Sequence, residues 1–344
     1  MSQATGRGVP PRFLIVNYVL IRKWLFSKLT EPGRRLLSSS GVMYRGGRVL
    51  GRIRNHPSLA AEGGRPPAAK SDFWHEAPKH WKWLGPPLRP VAEDIGFYTA
   101  AINEWVQSNG PPRVLLLGVT PELYLLPWPK GTGVLAVDRS RPMIDAVWPG
   151  PKDAVNCADW TTMTLPDGSR DIILCDGGME QLQYPQEHGQ LVRILRRVLS
   201  DGGLSIVRLY ALPSQWESPE TVLRDFVQGR VSNMNILKLR LGMALQGTPS
   251  EGVARKTIWN AFHAAAPNPD RLARQLGWSA EQMHVIDAFR DYPDRFFFLT
   301  VADLHQLFCS SPGGFQLESV YVPSYELGER CPTVVLRRRA LASD

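Results

Sequence analysis

Gly118 and Asp138 stand twenty positions apart, each closing a short apolar run: Arg113-Val114-Leu115-Leu116-Leu117 before the glycine, Val134-Leu135-Ala136-Val137 before the acid. A carboxylate accepts two hydrogen bonds from a cis-diol, and a glycine lets backbone approach a ligand with no side chain between them. The pair suits a nucleoside ribose held above the first turn of a doubly wound sheet. The turn itself, Gly118-Val119-Thr120-Pro121-Glu122, has one glycine where the dinucleotide fingerprint has three. Such a turn cradles a pyrophosphate poorly, which points away from a nicotinamide cofactor and toward a ligand without phosphates. Two further strand-like runs end in polar residues: 154–158 in Asp159-Trp160, and 171–175 in Asp176-Gly177-Gly178.

The elements that position these tips follow from hydrophobic periodicity. The apolar runs at 113–118, 134–137, 154–158, 171–175 and 204–210 read as buried parallel strands. Between them lie helical patterns: Glu93 to about Ser108, a helix after Ser140 with Pro142 in its first turn, and Leu191–Leu199 with Arg193, Arg196 and Arg197 outward. Asp201-Gly202-Gly203 is expected to close that last helix. Strand alternating with helix predicts an α/β fold, a mostly parallel sheet covered on both faces. The alternation stops at Pro213. Helical patterns at 219–228, 233–246, 254–265, 270–276 and 301–309 follow, and strands return at 315–321 and 333–336. Insertions on such scaffolds tend to face substrate, so residues 213–311 are expected to form a helical lid.

Residues 1–70 differ in kind. They carry thirteen of the forty Lys and Arg and two of the thirty-two acidic residues, a net charge of +11 against +8 for the whole chain. The body is therefore slightly acidic, and the basic balance says nothing about its ligand. The segment is expected to be a weakly ordered basic extension, with an arginine- and serine-rich composition that organelle-targeting peptides share. Its apolar run 13–21 is too short to span a bilayer. The four cysteines, Cys157, Cys175, Cys309 and Cys331, are scattered without C-x-x-C or paired histidines. That spacing implies no metal site and fits a reducing, cytoplasmic compartment.

Over roughly 71–338 the ordered strand tips resemble the class I S-adenosylmethionine-dependent methyltransferases. The motifs are VLLLGVTPEL (114–123), VLAVDRSRPMI (134–144), CADW (157–160), DIILCDGG (171–178) and LVRILRRVLSDGGLSIVRLY (191–210). The resemblance implies a Rossmann-like sheet whose last two strands close as an antiparallel hairpin, with the helical insertion between strands 5 and 6. The cofactor domain would comprise 71–212 and 312–340. S-adenosyl-L-methionine is the implied cofactor. Gly118 and Thr120 would pass its methionine part, and Asp138, beside Arg139, would hold its ribose. Asp159 would accept from the adenine amino group, with Trp160 or Met143 on the ring face. Asp176 and Gly177 would meet the amino-acid end or the reacting methyl. The first motif departs from the family's acidic-x-Gly-x-Gly-x-Gly at Leu117-Gly118.

A sulfonium methyl needs alignment more than activation, and a base only where the acceptor is protonated. Candidate bases are His188, His263, Tyr184 and Tyr292. The tip Asp176-Gly177-Gly178-Met179 lacks the Asn/Asp-Pro-Pro-aromatic run of DNA amino-methylating enzymes. The expected acceptor is a small molecule or peptide, methylated on O or N. Trp216, Trp259, Phe262, Phe289 and Phe296 are available to line an apolar pocket. A cofactor-binding scaffold without catalysis and a nicotinamide-dependent oxidoreductase are the alternatives, and a partner protein or homodimer fits as well.

Overall fold

The computed structural model describes residues 73–310 and 314–340. The expectation for the basic extension 1–70 lies outside them. Seven strands form the central sheet: β1 (Arg113–Leu117), β2 (Gly133–Asp138), β3 (Val155–Cys157), β4 (Arg170–Asp176), β5 (Leu199–Arg208), β6 (Phe315–Tyr321) and β7 (Thr333–Arg338). Their spatial order is β3-β2-β1-β4-β5-β7-β6. β1 to β5 pair in parallel, and β7 runs antiparallel to both β5 and β6. The parallel strands are what the alternating pattern anticipated, and the closing antiparallel hairpin is what the family resemblance implied.

The centre of the sheet is buried on both faces because β1 and β4 carry consecutive apolar residues. Leu115, Leu117, Ile173 and Cys175 face α5 (Gln186–Val198) and a later helix. Val114, Leu116, Ile172 and Leu174 face α2 (Ala92–Asn109) and the single turn α3 (Pro121–Tyr124). The short α1 (Phe73–His80) precedes α2, and α4 (Arg141–Val147) joins β2 to β3. α5 presents Leu191, Val192, Leu195 and Val198 on one stripe, the spacing of a core-facing helix.

Two boundaries differ from the sequence reading. α5 starts a turn and a half earlier, at Gln186. Asp201-Gly202-Gly203, expected to close a helix, instead lies within β5, where the pairing with β4 shifts register between Arg170 and Ile172. The irregular pairing absorbs the extra residues, a use of glycine that local turn propensity does not distinguish from a loop.

Between β5 and β6 the chain builds a second layer of helices: α6 (Pro219–Val227), α7 (Met234–Leu245), α8 (Arg255–Ala265), α9 (Pro269–Leu276), α10 (Ala280–His284) and α11 (Val301–Cys309). α11 is the helix that joins α5 on the sheet. α6 to α10 enclose a core of their own around Phe226, Leu237, Leu241, Ile258, Phe262 and Ile286. A two-residue ribbon, Val253–Ala254 against Arg295–Phe296, ties the block together. α1, α10 and this ribbon had no counterpart in the sequence reading, since each is too short to show a period. No helix among the described residues is long and apolar enough to cross a membrane.

Candidate active site

Register brings the strand tips level. Leu117 lies opposite Val137 on one side and Cys175 on the other. One step further along, Gly118, Asp138 and Asp176 therefore form the next row, with Cys157 opposite Asp138 and Arg208 opposite Asp176. This is the carboxyl edge of a parallel sheet, where order reverses between β1 and β4 and a crevice opens. One cavity lies there. The residues around it include all nine strand-tip positions singled out as cofactor contacts.

At the β2 end, Asp138 Oδ1 accepts the Ser140 amide at 2.7 Å. Ser140 in turn caps α4, its Oγ accepting the Met143 amide at 3.3 Å and donating to the Trp74 carbonyl at 2.9 Å. One short polar stretch thus orients Asp138, seats the buried Met143 and moors α1. Burial pushes the Asp138 carboxyl up to about 6, against the opposing pull of the Ser140 amide and Arg139. Gly118 sits beside it with φ +97°, a conformation that favours glycine, and a Cβ there would lie 3.9 Å from Asp138 Oδ2. Thr120 stands at the N-cap position of α3, just before Pro121.

At the β3 end, Asp159 Oδ1 accepts both the amide and the hydroxyl of Thr161, at 2.8 and 2.6 Å. Trp160 donates Nε1–H to the Val137 carbonyl at 2.7 Å, which turns its ring across the strand tips. That ring touches the Cβ position of Gly118 at 3.7 Å and would collide with one on Gly178 at 2.8 Å. Gly178 also has φ +95°, so both shape and backbone require glycine there.

At the β4 end, Asp176 is among the residues around the cavity, and its carboxylate is taken up by Arg208, both side chains being fully buried. Arg208 also donates to the Pro87 carbonyl at 2.8 Å and to Tyr325 at 3.2 Å, with Asp94 of α2 3.9 Å away. The acid expected to reach a ligand is thus engaged in fixing the sheet edge, because β5 places an arginine directly opposite it. Gly177 follows, its amide donating to the Arg208 carbonyl. Glu180 then turns back, Oε2 accepting the Gly178 amide at 2.9 Å and Oε1 the Gln181 side chain at 2.8 Å.

The remaining walls come from far along the chain. Phe73, Trp74 and Trp81 close one side, and Phe289 and Phe296 of the helical block another. Of the other aromatics expected at a pocket, Trp216 is 70% exposed. Phe262 lies in the core of the helical block, and Trp259 donates to Asp287 beside it. Lys238 of α7 and Arg255 of α8 also face the cavity. Neither was singled out from sequence, although Lys238 falls on the same stripe as Met234, Leu241 and Leu245, a signal of a charge on a buried face.

None of the four candidate bases lines the cavity. His188 is fully buried on the inner face of α5, where burial pushes it down to about 4, and it packs against Tyr184. His263 is 3.2 Å from Asp287 within the helical block. Tyr292 packs edge-on against Phe73, behind the wall rather than in it. Among the described residues no cluster of three or more His, Cys, Asp or Glu could hold a metal ion.

Residues 115–207, from β1 to β5, match the model of a family described as a methyltransferase domain. No match was found among curated proteins. Among solved structures, the fold is similar to that of a putative zinc-dependent alcohol dehydrogenase from Rhodobacter sphaeroides, at 14% identity over 78% of this chain and 98% of that one, with a TM-score of 0.51. The CcbJ methyltransferase from Streptomyces caelestis matches at 16% identity, 78% and 99% coverage and a TM-score of 0.45. The 1,6-didemethyltoxoflavin-N1-methyltransferase of Burkholderia thailandensis matches at 13% identity, 78% and 85% coverage and a TM-score of 0.40.

Proposed function

We propose that this chain, a class I S-adenosylmethionine-dependent methyltransferase, moves the methyl group to oxygen or nitrogen of a small molecule held between the strand tips and the helical block. The observation that carries this reading is the single cavity in which nine tip residues meet a roof of aromatic side chains.

The residues suit the cofactor. Asp138 is a half-buried carboxyl whose Oδ1 is used by its own turn while Oδ2 faces Gly118. Two ribose hydroxyls would give it the donors that burial has removed. Asp159 would receive the adenine amino group, and Met143 and Trp160 offer apolar surfaces for the ring. Gly118, Thr120 and Gly177 let backbone run close to the methionine part. Arg139 is placed at the rim beside Asp138.

Bound S-adenosylmethionine supplies a methyl group already activated by the positively charged sulfur. The chain's own contribution is alignment and dryness. The Trp160–Gly178 contact and the Arg208–Asp176 pair fix the tips of β3, β4 and β5 relative to one another. Phe73, Phe289 and Phe296 exclude water from the acceptor side, so proximity and orientation supply most of the acceleration. The four cysteines are free thiols, which supports a reducing, cytoplasmic setting.

Calorimetric titration of the full chain with S-adenosylhomocysteine, S-adenosylmethionine and NAD⁺ tests the reading. Both sulfur compounds are expected to bind and the nicotinamide to give no heat. Binding of NAD⁺ alone would overturn it, and sulfur-nucleoside binding with no methyl transfer to any acceptor would leave a scaffold.

A further inference from the structure

α7 is apolar almost all round. Met234, Ile236, Leu237, Leu239, Leu241, Met243 and Ala244 are buried, yet Lys238 in its middle is only 5% exposed. Its side chain turns to the cavity. Nζ lies 5.3 Å from the centre of the Phe289 ring, and among the described residues it has no hydrogen-bond or ion-pair partner. A buried ammonium without a partner is costly and rare.

The charged groups around it are committed elsewhere. Arg255, the cation that acts on it electrostatically, lies over the rings of Phe73 and Phe296, each centre 4.2 Å away. It donates to Gln181 and pairs with Asp294. Glu180 receives the Gly178 amide and the Gln181 amide group. On neighbouring elements Asp287 is taken by Trp259, His263 and His284, while Asp225 and Glu217 are held by Arg240. Among the described residues no carboxylate forms an ion pair with Lys238. Burial and the repulsion of Arg255 push its ammonium down to about 7, which favours the neutral amine. The contacts Arg255–Gln181 and Glu180–Gly178 place this corner beside the β4 tip.

We propose that Lys238 is the catalytic residue that receives the acceptor, and that the acceptor is an aromatic or similarly flat apolar molecule carrying one acidic O–H group. The inference rests on the methyltransferase reading and names its substrate class. The neutral amine of Lys238 takes the proton: the O–H bond breaks, an N–H bond forms, and the electron pair stays on oxygen. That pair forms the new C–O bond as the carbon–sulfur bond breaks and its electrons return to sulfur. The resulting ammonium returns its proton to water when the methylated product leaves. Phe289 and Phe296 supply the flat walls, and the ammonium–oxyanion pair supplies the partner that Lys238 lacks.

4-Nitrophenol is a direct probe, because its ionised form alone is yellow. The full chain, saturated with S-adenosylhomocysteine at mildly acid pH, is expected to bind 4-nitrophenol with the colour of the phenolate. Lys238→Met is expected to bind it at least about tenfold more weakly, and colourless. Benzoate, titrated in parallel, separates carboxylic from phenolic acceptors by which of the two loses more affinity in the variant. Retained binding of S-adenosylhomocysteine shows that the variant is folded. Lys238→Gln, which keeps a polar side chain, serves as a second variant and is expected to stay colourless. Equal affinity and colour in wild type and variants would overturn the proposal, as would failure of wild type to bind either probe while S-adenosylhomocysteine binds. Failure of S-adenosylhomocysteine itself would instead overturn the methyltransferase reading.

Discussion

Asp138→Asn is expected to make the fold more stable while making the cofactor bind less well. The carboxyl rises from 3.8 to about 6 on folding because burial disfavours its charge. Above about 6 the group is ionised in both folded and unfolded chain, and the full cost of desolvation is present. As pH falls through that value the folded state takes up the proton first and the cost shrinks. Below 3.8 both states are protonated and it is gone. A rise of this size corresponds to about 3 kcal/mol for a group sealed from water. Asp138 keeps some contact with solvent in the crevice, so about 1–2 kcal/mol is the expected gain at neutral pH. Asparagine keeps an oxygen for the Ser140 amide, so the turn survives. It loses the charge that strengthens bonds from ribose hydroxyls, which is worth about 1–3 kcal/mol, or roughly fivefold to 150-fold in affinity for S-adenosylhomocysteine. Urea unfolding at neutral and at strongly acid pH, with calorimetry at neutral pH, measures all three quantities. A variant no more stable at neutral pH, one equally stabilised at both, or one with unchanged affinity would refute the assignment of this carboxyl to the ribose.

Lys238→Met removes a charge that folding must bury below about pH 7, where the amine is protonated in both states. Its unfolding free energy should rise by about 2–4 kcal/mol there, with the gain fading as pH climbs toward the unfolded value of lysine, as read by thermal unfolding across that range. Arg208→Leu leaves Asp176 and Asp94 buried without their cation and should cost about 3–5 kcal/mol in urea unfolding. Unaltered stability would mean that the pair is not what holds the β4 and β5 tips to α2. Gly178→Ala, forced into φ +95° against Trp160, should lose about 1–3 kcal/mol and shift the tryptophan fluorescence. A spectrum identical to wild type would show that the ring does not rest on this glycine.

How far the site could be foreseen differs from residue to residue. Gly118, Asp138, Asp159 and Asp176 were legible because each ends an apolar run, and parallel strands of buried residues can align only with their tips on one edge. Asp176 shows the limit: its position was readable, its engagement by Arg208 was not, since cross-strand pairing depends on a register that no local pattern encodes. The four candidate bases lie outside the cavity lining for a related reason. His188 lies on the stripe that α5 buries, and His263 lies beside Asp287, both facts of which face turns inward.

Residue order alone determined the alternation of strand and helix, the row of tip residues and the point at which helices take over, because these follow from hydrophobic period and turn chemistry within a few dozen residues. Tertiary structure decided that α1, α7, α8 and the segment carrying Phe289 and Phe296 converge on that row. Lys238 meets the β4 tip across more than fifty intervening residues, and the packing of side chains over such distances, not their spacing along the chain, sets which faces touch. A lone lysine in an apolar helix becomes a group in a cavity only once that packing exists.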